Sequence, residues 1–164
     1  MKKILLLVLI CMSIVGLTAC SGNGEKGTEA NGSKPIVMKL GSVNNDKHTL
    51  HDGYEKFKEI VEKETNGEIK VEIYMNGLLG NDQSMIEALQ LGTIESVGVS
   101  TSMLANWAPS MLAFDLPFMI KDEATADKIL DGSFGEKAAK QLEEEQLLLL
   151  GYMENGFRQL TNSK

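Results

Sequence analysis

The segment Tyr74–Ser100 constrains the fold of this chain more than any other. It reads YMNGLLGNDQSMIEALQLGTIESVGVS. The segment ends one alternating apolar strand, crosses a Gly-rich turn, passes through a short amphipathic helix and enters a second apolar strand. This order predicts a strand, helix, strand crossover, which joins parallel strands. Open parallel sheets bind ligands in the crevice at the carboxyl ends of their strands, so the loops after the strands are the candidate functional positions.

The segment before this crossover has the same pattern. Ile36–Gly41 reads as a short, mostly buried strand. A helix of about four turns is predicted to begin at Thr49, with Asp52 completing a variant of the capping box, and to end at the Asn66-Gly67 pair. Ile69–Tyr74 alternates apolar and polar residues and predicts a strand with one wetter face.

Two crossovers in sequence predict a doubly wound α/β sheet. In the second crossover, Asn81 or Asp82 is expected to cap the helix, and Ile94–Val99 is predicted to be the third strand. Gly98 in that strand would allow close approach of a backbone or a ligand, although a simple bulge is the commoner reason for such a glycine. Four apolar residues are predicted on the helix: Met85, Ile86, Leu89 and Leu91.

The remainder of the chain is predicted to be helical with one more buried strand. Ala113–Phe118 is too apolar to be left in water, and Asp122 is expected to cap a helix that Gly132 ends, before a further helix. Leu147–Leu150 is apolar throughout and predicts a fully buried strand. Phe157–Thr161 is also strand-like.

The first residues have the form of an export signal. Lys2 and Lys3 precede the apolar run Ile4–Leu17, which is too short to span a bilayer comfortably. Leu-Thr-Ala-Cys, ending at Cys20, looks like a bacterial lipobox; an ordinary secretory cleavage site before a Cys is the alternative. The sequence therefore predicts a signal peptide over 1–19, an acylated Cys20 followed by a polar tether over 20–35, and a folded region over 36–164.

Charge and cysteine content exclude some classes of protein. The formal net charge is −7, and without Lys2 and Lys3 the chain is more acidic still. An acidic chain without a basic patch argues against a nucleic-acid partner, because phosphates require clustered Lys and Arg. Cys11 lies in the predicted signal peptide, so Cys20 has no partner for an internal disulfide.

Three motifs carry a resemblance to a known family. Leu79-Gly80, Gln90–Ile94 and Phe114–Phe118 occur in the order and at the spacing found in the extracytoplasmic solute-binding proteins of TRAP transporters, the DctP-like family. The resemblance covers residues 36–164. The chain departs from the family at Met75, where Pro is frequent, and at Leu78, where Gln is frequent.

The resemblance implies a periplasmic-binding-protein-like lobe of type II, with a doubly wound, mostly parallel sheet. It also implies a two-lobed receptor of roughly 300 residues. The second lobe, with its Lys-x-Arg-Val-Pro stretch and hinge helix, is largely missing from this sequence. We therefore expect 36–164 to be the N-terminal lobe, as part of a longer natural protein or as a truncated chain.

Arg158 is the leading candidate for solute binding. It is the only arginine of the chain, and a planar guanidinium matches the geometry of a carboxylate. By resemblance, Arg158 matches the Arg of the Gly-x-Arg segment that lies at the ligand cleft in relatives. The alternative is a surface arginine paired with a Glu.

Further candidates follow the carboxyl ends of the strands or the loop beyond them. Each has a structural alternative: turn formation, helix capping, or filling and covering of the core. Relatives that bind acidic sugars tend to carry charged residues near the third loop. The residues here are uncharged, which favours a smaller or less polar organic acid. The candidates are Asn44, Asp82, Ser100, Met103 and Trp107.

The sequence gives little support to an enzyme. His48 and His51 lie three residues apart beside acidic residues, but metal sites need a further fixed ligand. No P-loop, Gly-x-Gly-x-x-Gly or Ser-His-Asp spacing is present. We predict no catalytic residue, no metal and no cofactor.

The function expected from these observations is that of a lipid-anchored receptor outside the cytoplasmic membrane. It would bind a small organic acid and deliver it to the membrane subunits of a TRAP permease driven by an ion gradient. One alternative is a solute-binding lipoprotein of an ATP-driven importer. A second is a metal-dependent surface lipoprotein that uses His48 and His51.

Overall fold

A computed structural model describes residues 34–157 and 161–163. The described part of the chain contains a three-stranded parallel sheet, four α-helices and two 3₁₀ helices. The strands are β1 (Ile36–Ser42), β2 (Ile69–Tyr74) and β3 (Ser96–Gly98). Their order in the sheet is β2-β1-β3, with Leu40 of the central strand opposite Ile73 on one side and Ser96 on the other. The prediction of parallel strands joined by crossovers is confirmed.

The helices follow the strands in the predicted order. They are α1 (Thr49–Glu64), α2 (Asp82–Gln90), α3 (Glu123–Leu130) and α4 (Ser133–Glu144). The two 3₁₀ helices, Thr101–Asn106 and Pro109–Asp115, lie between β3 and α3. Among the described residues, none of the helices has the length and apolar content needed to cross a bilayer.

Helices α1 and α2 cover opposite faces of the sheet. Leu40 of β1 packs with Tyr54 of α1, whereas the neighbouring Gly41 lies against Met85 of α2. Adjacent residues of a strand point to opposite faces, so the two helices form the outer layers of a three-layer arrangement. This is the doubly wound architecture predicted from the sequence.

Two apolar clusters form the core. The α1 face is centred on buried residues of β1, β2 and α1, which are Leu40, Tyr54, Val71 and Met75. The other face joins α2, the 3₁₀ helices and α4, through Ile86, Ala108, Met111, Ala138, Leu142 and Leu147. Burial of an aliphatic side chain of this size is worth about 1.5–3 kcal/mol, so these clusters supply most of the packing energy.

Helix ends are set by local polar contacts, and one differs from the prediction. The Nδ1 atom of His48 accepts a hydrogen bond from the Leu50 amide at 3.2 Å, so His48, and not Thr49, is the N-cap of α1. Asn66 and Gly67 adopt positive φ after the helix, as the predicted stop requires. Asn81 caps α2 and Asp122 caps α3, each through a side-chain oxygen.

Other predicted boundaries are wrong in detail. Leu91 is the exposed C-cap residue of α2 and does not pack on the helix face. The third strand is only three residues long, because Ile94 and Glu95 precede the ladder and Val99 follows it. Helix α3 ends at its C-cap Asp131, and Gly132 is the N-cap of α4.

The predicted strand Leu147–Leu150 is not formed. These residues have no place in the sheet, although their exposure alternates: Leu147 is buried and Leu149 packs on the core, whereas Leu148 is 72% exposed and Leu150 is also exposed. Within the described residues no strand lies beside this segment to pair with it and cover its outer face. The apolar run therefore has the composition of a buried strand, but no described strand pairs with it or covers its outer face.

Two further apolar predictions also fail or fall outside the structure. Ala113–Phe118 is only partly covered: Phe114 packs on the core, but Leu116 is exposed. Phe118 is 88% exposed, with a φ of 63°. In the predicted strand at the end of the chain, Phe157 and Thr161 are not in a strand, and residues 158–160 lie outside the described residues.

A candidate ligand cleft at the carboxyl edge of the sheet

The loops that follow β1 and β2 are joined at the carboxyl edge of the sheet. The Asn76 amide donates to the Asn44 carbonyl at 2.8 Å, and the Gly77 amide donates to the Ser42 carbonyl at 3.0 Å. Asn76 and Gly77 both have positive φ, which Asn and Gly tolerate better than other residues. Backbone hydrogen bonds between the two loops thus fix the shape of this edge.

Ser42 and Asn44 form a polar pair on this edge. Ser42 is fully buried at the end of β1, and its Oγ lies 3.3 Å from both the backbone amide and the Nδ2 atom of Asn44. Asn44 is only partly buried and lines the main cavity. Asn44 therefore shapes the loop after β1 and also lines the cavity where binding is predicted.

Asp82 lies in the first turn of α2 and has an unpaired carboxyl oxygen. It is the first residue of α2, after the N-cap Asn81, and it lines the cavity. Its Oδ1 atom is buried and has no hydrogen-bond partner among the described residues. Burial raises the pKa of the Asp82 carboxyl above its ordinary value. An unpaired carboxylate oxygen in a partly buried position can accept a hydrogen bond from a ligand.

The third loop contributes hydroxyl groups. Ser100 is the N-cap residue of the first 3₁₀ helix, and its Oγ lies 3.1 Å from Ser102 Oγ. Thr101, which the sequence did not single out, donates from Oγ1 to Asp115 Oδ2 at 3.0 Å. Ser100 and Thr101 both line the cavity.

Met103 and Trp107 are placed elsewhere. Met103 is exposed and does not line the cavity. The Trp107 indole packs on the cluster around Ile86 and donates from Nε1 to Gln90 Oε1 at 3.2 Å. Trp107 therefore covers the sheet in this structure, and the structure does not bring it together with Asn44, Asp82 and Ser100.

Arg158 and Cys20 lie outside the described residues. The chain leading to Arg158 does reach the cavity, because Asn155, Gly156 and Phe157 line it. The role of Arg158 in solute binding and the acylation of Cys20 both stay predictions.

The cavity has a volume of about 1270 Å³. It runs beside β3 from Ile94 to Thr101, and its other walls include α1, residues of α2, the segment Phe114–Phe118 and the segment that ends at Phe157. It is therefore larger than a crevice at the strand ends alone, and it also follows the edge of β3 that faces away from β1.

Tyr54 is a cavity residue that sequence reasoning missed. Its ring is 95% buried in the α1 cluster, and its hydroxyl lies so close to Gly98 that a Cβ at that position would overlap Tyr54 Oη. The combination of a glycine inside a strand and an aromatic residue on the covering helix was the available signal. The sequence showed both residues but not their register.

The histidines do not form a metal cluster. His48 uses Nδ1 as the helix cap, and His51 Nε2 lies 3.6 Å from Glu55 Oε1. Over residues 34–157 and 161–163, no group of three His, Cys, Asp or Glu side chains is placed to hold a metal ion. The observed contacts are those of a helix end.

Comparisons with known proteins give a consistent result. The sequence profile of the family described as "Bacterial extracellular solute-binding protein, family 7" (DctP) matches residues 40–164. The chain is 34% identical over 127 residues to the 2,3-diketo-L-gulonate-binding periplasmic protein YiaO of Escherichia coli K12, a match covering 77% of this chain and 39% of that protein. It is 38% identical over 109 residues to the C4-dicarboxylate-binding protein DctB of Bacillus subtilis, covering 66% of this chain and 31% of that protein.

Solved structures resemble the fold as well. A TRAP periplasmic solute-binding protein of Polaromonas sp. JS666, bound to D-erythronate, has a TM-score of 0.72 and 35% identity, covering 79% of this chain and 43% of that one. The sugar acid binding protein DctPAm of Advenella mimigardefordensis, in complex with galactonate, has a TM-score of 0.72 and 36% identity, covering 77% of this chain and 41% of that one. The chain thus spans about two fifths of the length of these relatives.

Proposed function

Since the chain belongs to the DctP family of bacterial extracellular solute-binding proteins, we propose that it provides one wall of the solute cleft in an extracytoplasmic receptor for organic acids. The observation that carries this proposal is the cavity at the carboxyl edge of β1, β2 and β3, lined by polar side chains of all three following loops. Parallel α/β sheets bind ligands at this edge. The family is one of receptors, and we propose that this chain has no catalytic activity.

The solute class follows from the relatives and from the chemistry of Arg158. The relatives described above bind a C4-dicarboxylate, D-erythronate and galactonate, which are all carboxylates. Arg158 supplies the guanidinium that holds the carboxylate, from a position directly after the cavity residue Phe157. A charge-assisted contact of this kind contributes about 1.5–3 kcal/mol.

Binding works by closure of two lobes around the solute. The described lobe contributes Asn44, Asp82 and Ser100 from three separate loops, and the facing lobe comes from the part of the receptor that the relatives carry beyond the matched region. Closure is a shift of population, and it requires that the solute contact both lobes in the closed state and so prefer it. The closed receptor then delivers the acid to a TRAP permease driven by an ion gradient.

The receptor is retained at the outer face of the membrane through Cys20. Acylation of Cys20 after cleavage of residues 1–19 would attach the folded lobe by the polar tether that ends near Pro35. Mass spectrometry of the mature protein tests this step: an acylated N-terminal cysteine is expected, and an unmodified N-terminus would contradict the anchor.

Calorimetry on the receptor at the length of its relatives tests the function. Titration with succinate, D-erythronate and galactonate is expected to reveal binding of at least one acid. Replacement Arg158→Ala is expected to weaken that binding about 10- to 100-fold, because a charge-assisted pair is lost. Lys121→Ala is the matched control, since Lys121 is a cation that does not line the cavity.

Two results would contradict the proposal at different levels. Absence of binding by the wild-type receptor for every acid would remove the solute class. Unchanged affinity in Arg158→Ala, with the other acids still bound, would remove Arg158 from the site and leave the receptor function in place.

A further inference from the structure

Tyr54 presents an uncommitted hydroxyl to the cavity. The ring is 5% exposed and packs with Leu40 and Val71, so its position is fixed by the core. The hydroxyl makes no hydrogen bond to another described residue. It is not fully buried, so a group outside the core can reach it. Tyr54 therefore lines the cavity with a side chain that is otherwise held in the core, and its hydroxyl is free to accept or donate a hydrogen bond.

The sheet is adapted to this position of the hydroxyl. Gly98 is paired with Ser42 in the β1–β3 ladder, so both residues face the α1 side of the sheet. A side chain at position 98 would overlap Tyr54 Oη, so Gly98 makes room for the phenol. Ser100, two residues further on, lines the same cavity. Tyr54 lines the cavity proposed for the solute and its hydroxyl has no partner among the described residues, so a hydroxyl of the solute can supply the missing hydrogen bond.

Apart from Lys56, the polar groups among the described cavity residues are neutral or acidic. Asn44 contributes an amide, Ser100 contributes a hydroxyl, and Asp82 contributes an unpaired carboxylate oxygen. The Lys56 ammonium, which belongs to a cavity residue, is engaged with Glu59 Oε2 at 2.7 Å. The described wall thus offers hydrogen bonds but no free cation for a second carboxylate, and Asp82 would repel one.

We propose that the Tyr54 hydroxyl, held over Gly98, is a specificity-determining contact for a hydroxyl group of the solute, so that the receptor prefers hydroxylated monocarboxylates. This inference rests on the proposed function and narrows its solute class. It replaces the expectation of a less polar acid, which rested on the missing charge in the third loop. A site that hydrogen-bonds a solute hydroxyl discriminates against an analogue without it, because its own polar groups are then left unpaired.

The test uses two four-carbon acids that differ only in hydroxyl groups. The probes are erythronate, with three hydroxyls, and butyrate, with none. Calorimetry measures the affinity of each acid for the receptor at the length of its relatives. Butyrate is measured by competition with erythronate. The wild-type protein is expected to prefer erythronate. Tyr54→Phe is expected to bind erythronate about tenfold more weakly and butyrate equally well, since one hydrogen bond is lost and the ring is kept.

Two further variants separate a direct contact from a structural effect. Tyr74→Phe is the matched control, because the Tyr74 hydroxyl is bonded to Glu72 Oε2 at 2.6 Å on the exposed face of β2; no change in either affinity is expected. Gly98→Ala, which displaces the phenol, is expected to reduce the erythronate preference as Tyr54→Phe does. Thermal melting checks that the variants are folded.

The outcomes distinguish this inference from the proposed function. Equal binding of erythronate by wild type and Tyr54→Phe, or an equal loss for both acids, would overturn the role of Tyr54 and leave the receptor function in place. A wild-type receptor that binds no acid at all would overturn the proposed function and this inference with it.

Discussion

Burial of apolar side chains differs between two regions of the molecule. One region is the two strand-helix-strand units of residues 36–98, and the other is the segment 147–157. In the first region Leu40 and Val71 are buried between the sheet and α1. In the second, Leu148, Leu150 and Phe157 are exposed, although the run Leu147–Leu150 is as apolar as a central strand. In the first region α1 covers one face of the sheet, and α2 covers the other face together with the 3₁₀ helices and α4. The second has one covered face and one that its described neighbours leave in solvent.

The contrast follows from the pairing of the strands in the sheet. β1 is paired on both sides, whereas β3 is paired with β1 alone among the described residues, and the cavity follows its other edge. An unpaired strand edge beside exposed leucines is a surface that proteins normally cover. Within the described residues β1 is therefore enclosed by strands on both sides, whereas the outer edge of β3 borders the cavity.

A matched pair of leucines tests this contrast most strongly. Leu40→Ala removes a 4% exposed side chain from the central strand and is expected to lower the free energy of unfolding by about 2–5 kcal/mol. Leu148→Ala, at a site that is 72% exposed, is expected to change it by less than about 0.5 kcal/mol. Urea denaturation of residues 34–164 measures both. Equal costs would mean that Leu148 is buried in solution and that the contrast is wrong.

A matched pair of glycines gives a smaller effect in the same direction. Gly80, in the turn before α2, has a φ of 125°, and a Cβ there would overlap Ser84 Oγ; Gly80→Ala is expected to cost about 1–3 kcal/mol. Gly151 has open space around it, so Gly151→Ala is expected to be nearly neutral. Thermal melting compares them. A Gly80→Ala variant as stable as wild type would show that this turn is not rigidly held.

The smallest expected effect on stability concerns Asp82. Its buried Oδ1 atom has no hydrogen-bond partner among the described residues. Because burial raises the pKa of the Asp82 carboxyl in the folded state, the folded protein binds this proton more tightly than the unfolded chain does. Between the ordinary pKa of 3.8 and the raised one, stability contributed by this group therefore increases as the pH falls. We expect the stability of wild type relative to Asp82→Asn to rise on acidification, as measured by urea denaturation from pH 7 to pH 4. A fall would mean that the carboxylate has a partner in solution.

Local sequence signals predicted the elements of the fold well. The period of apolar residues predicted α1, β2 and α2, and turn chemistry predicted the stop at Asn66-Gly67. The cap of α2 is Asn81, one of the two candidates considered. These features depend on residues that are close in sequence. The family was identified from the resemblance of three short motifs, and the match of its profile to residues 40–164 confirms it.

Features that depend on distant neighbours were not predictable. Leu147–Leu150 reads as a buried strand, but burial needs a strand beside it. The exposure of Phe118 depends likewise on what covers it. At the site, the loops of Asn44, Asp82 and Ser100 were identified from their places after the strands and do share a cavity. The register of Tyr54 against Gly98 arises from the packing angle of α1, which no local pattern specifies.

Hydrogen exchange of the receptor with and without a bound acid tests the central claim most directly. If the solute binds at the carboxyl edge of the sheet, exchange slows at the amides of Asn44, Gly77 and Thr101 and is unchanged at the opposite edge, at Ile36 and Ile69. Protection confined instead to the apolar pocket of about 220 Å³ beside Phe114 and Phe134 would contradict the account.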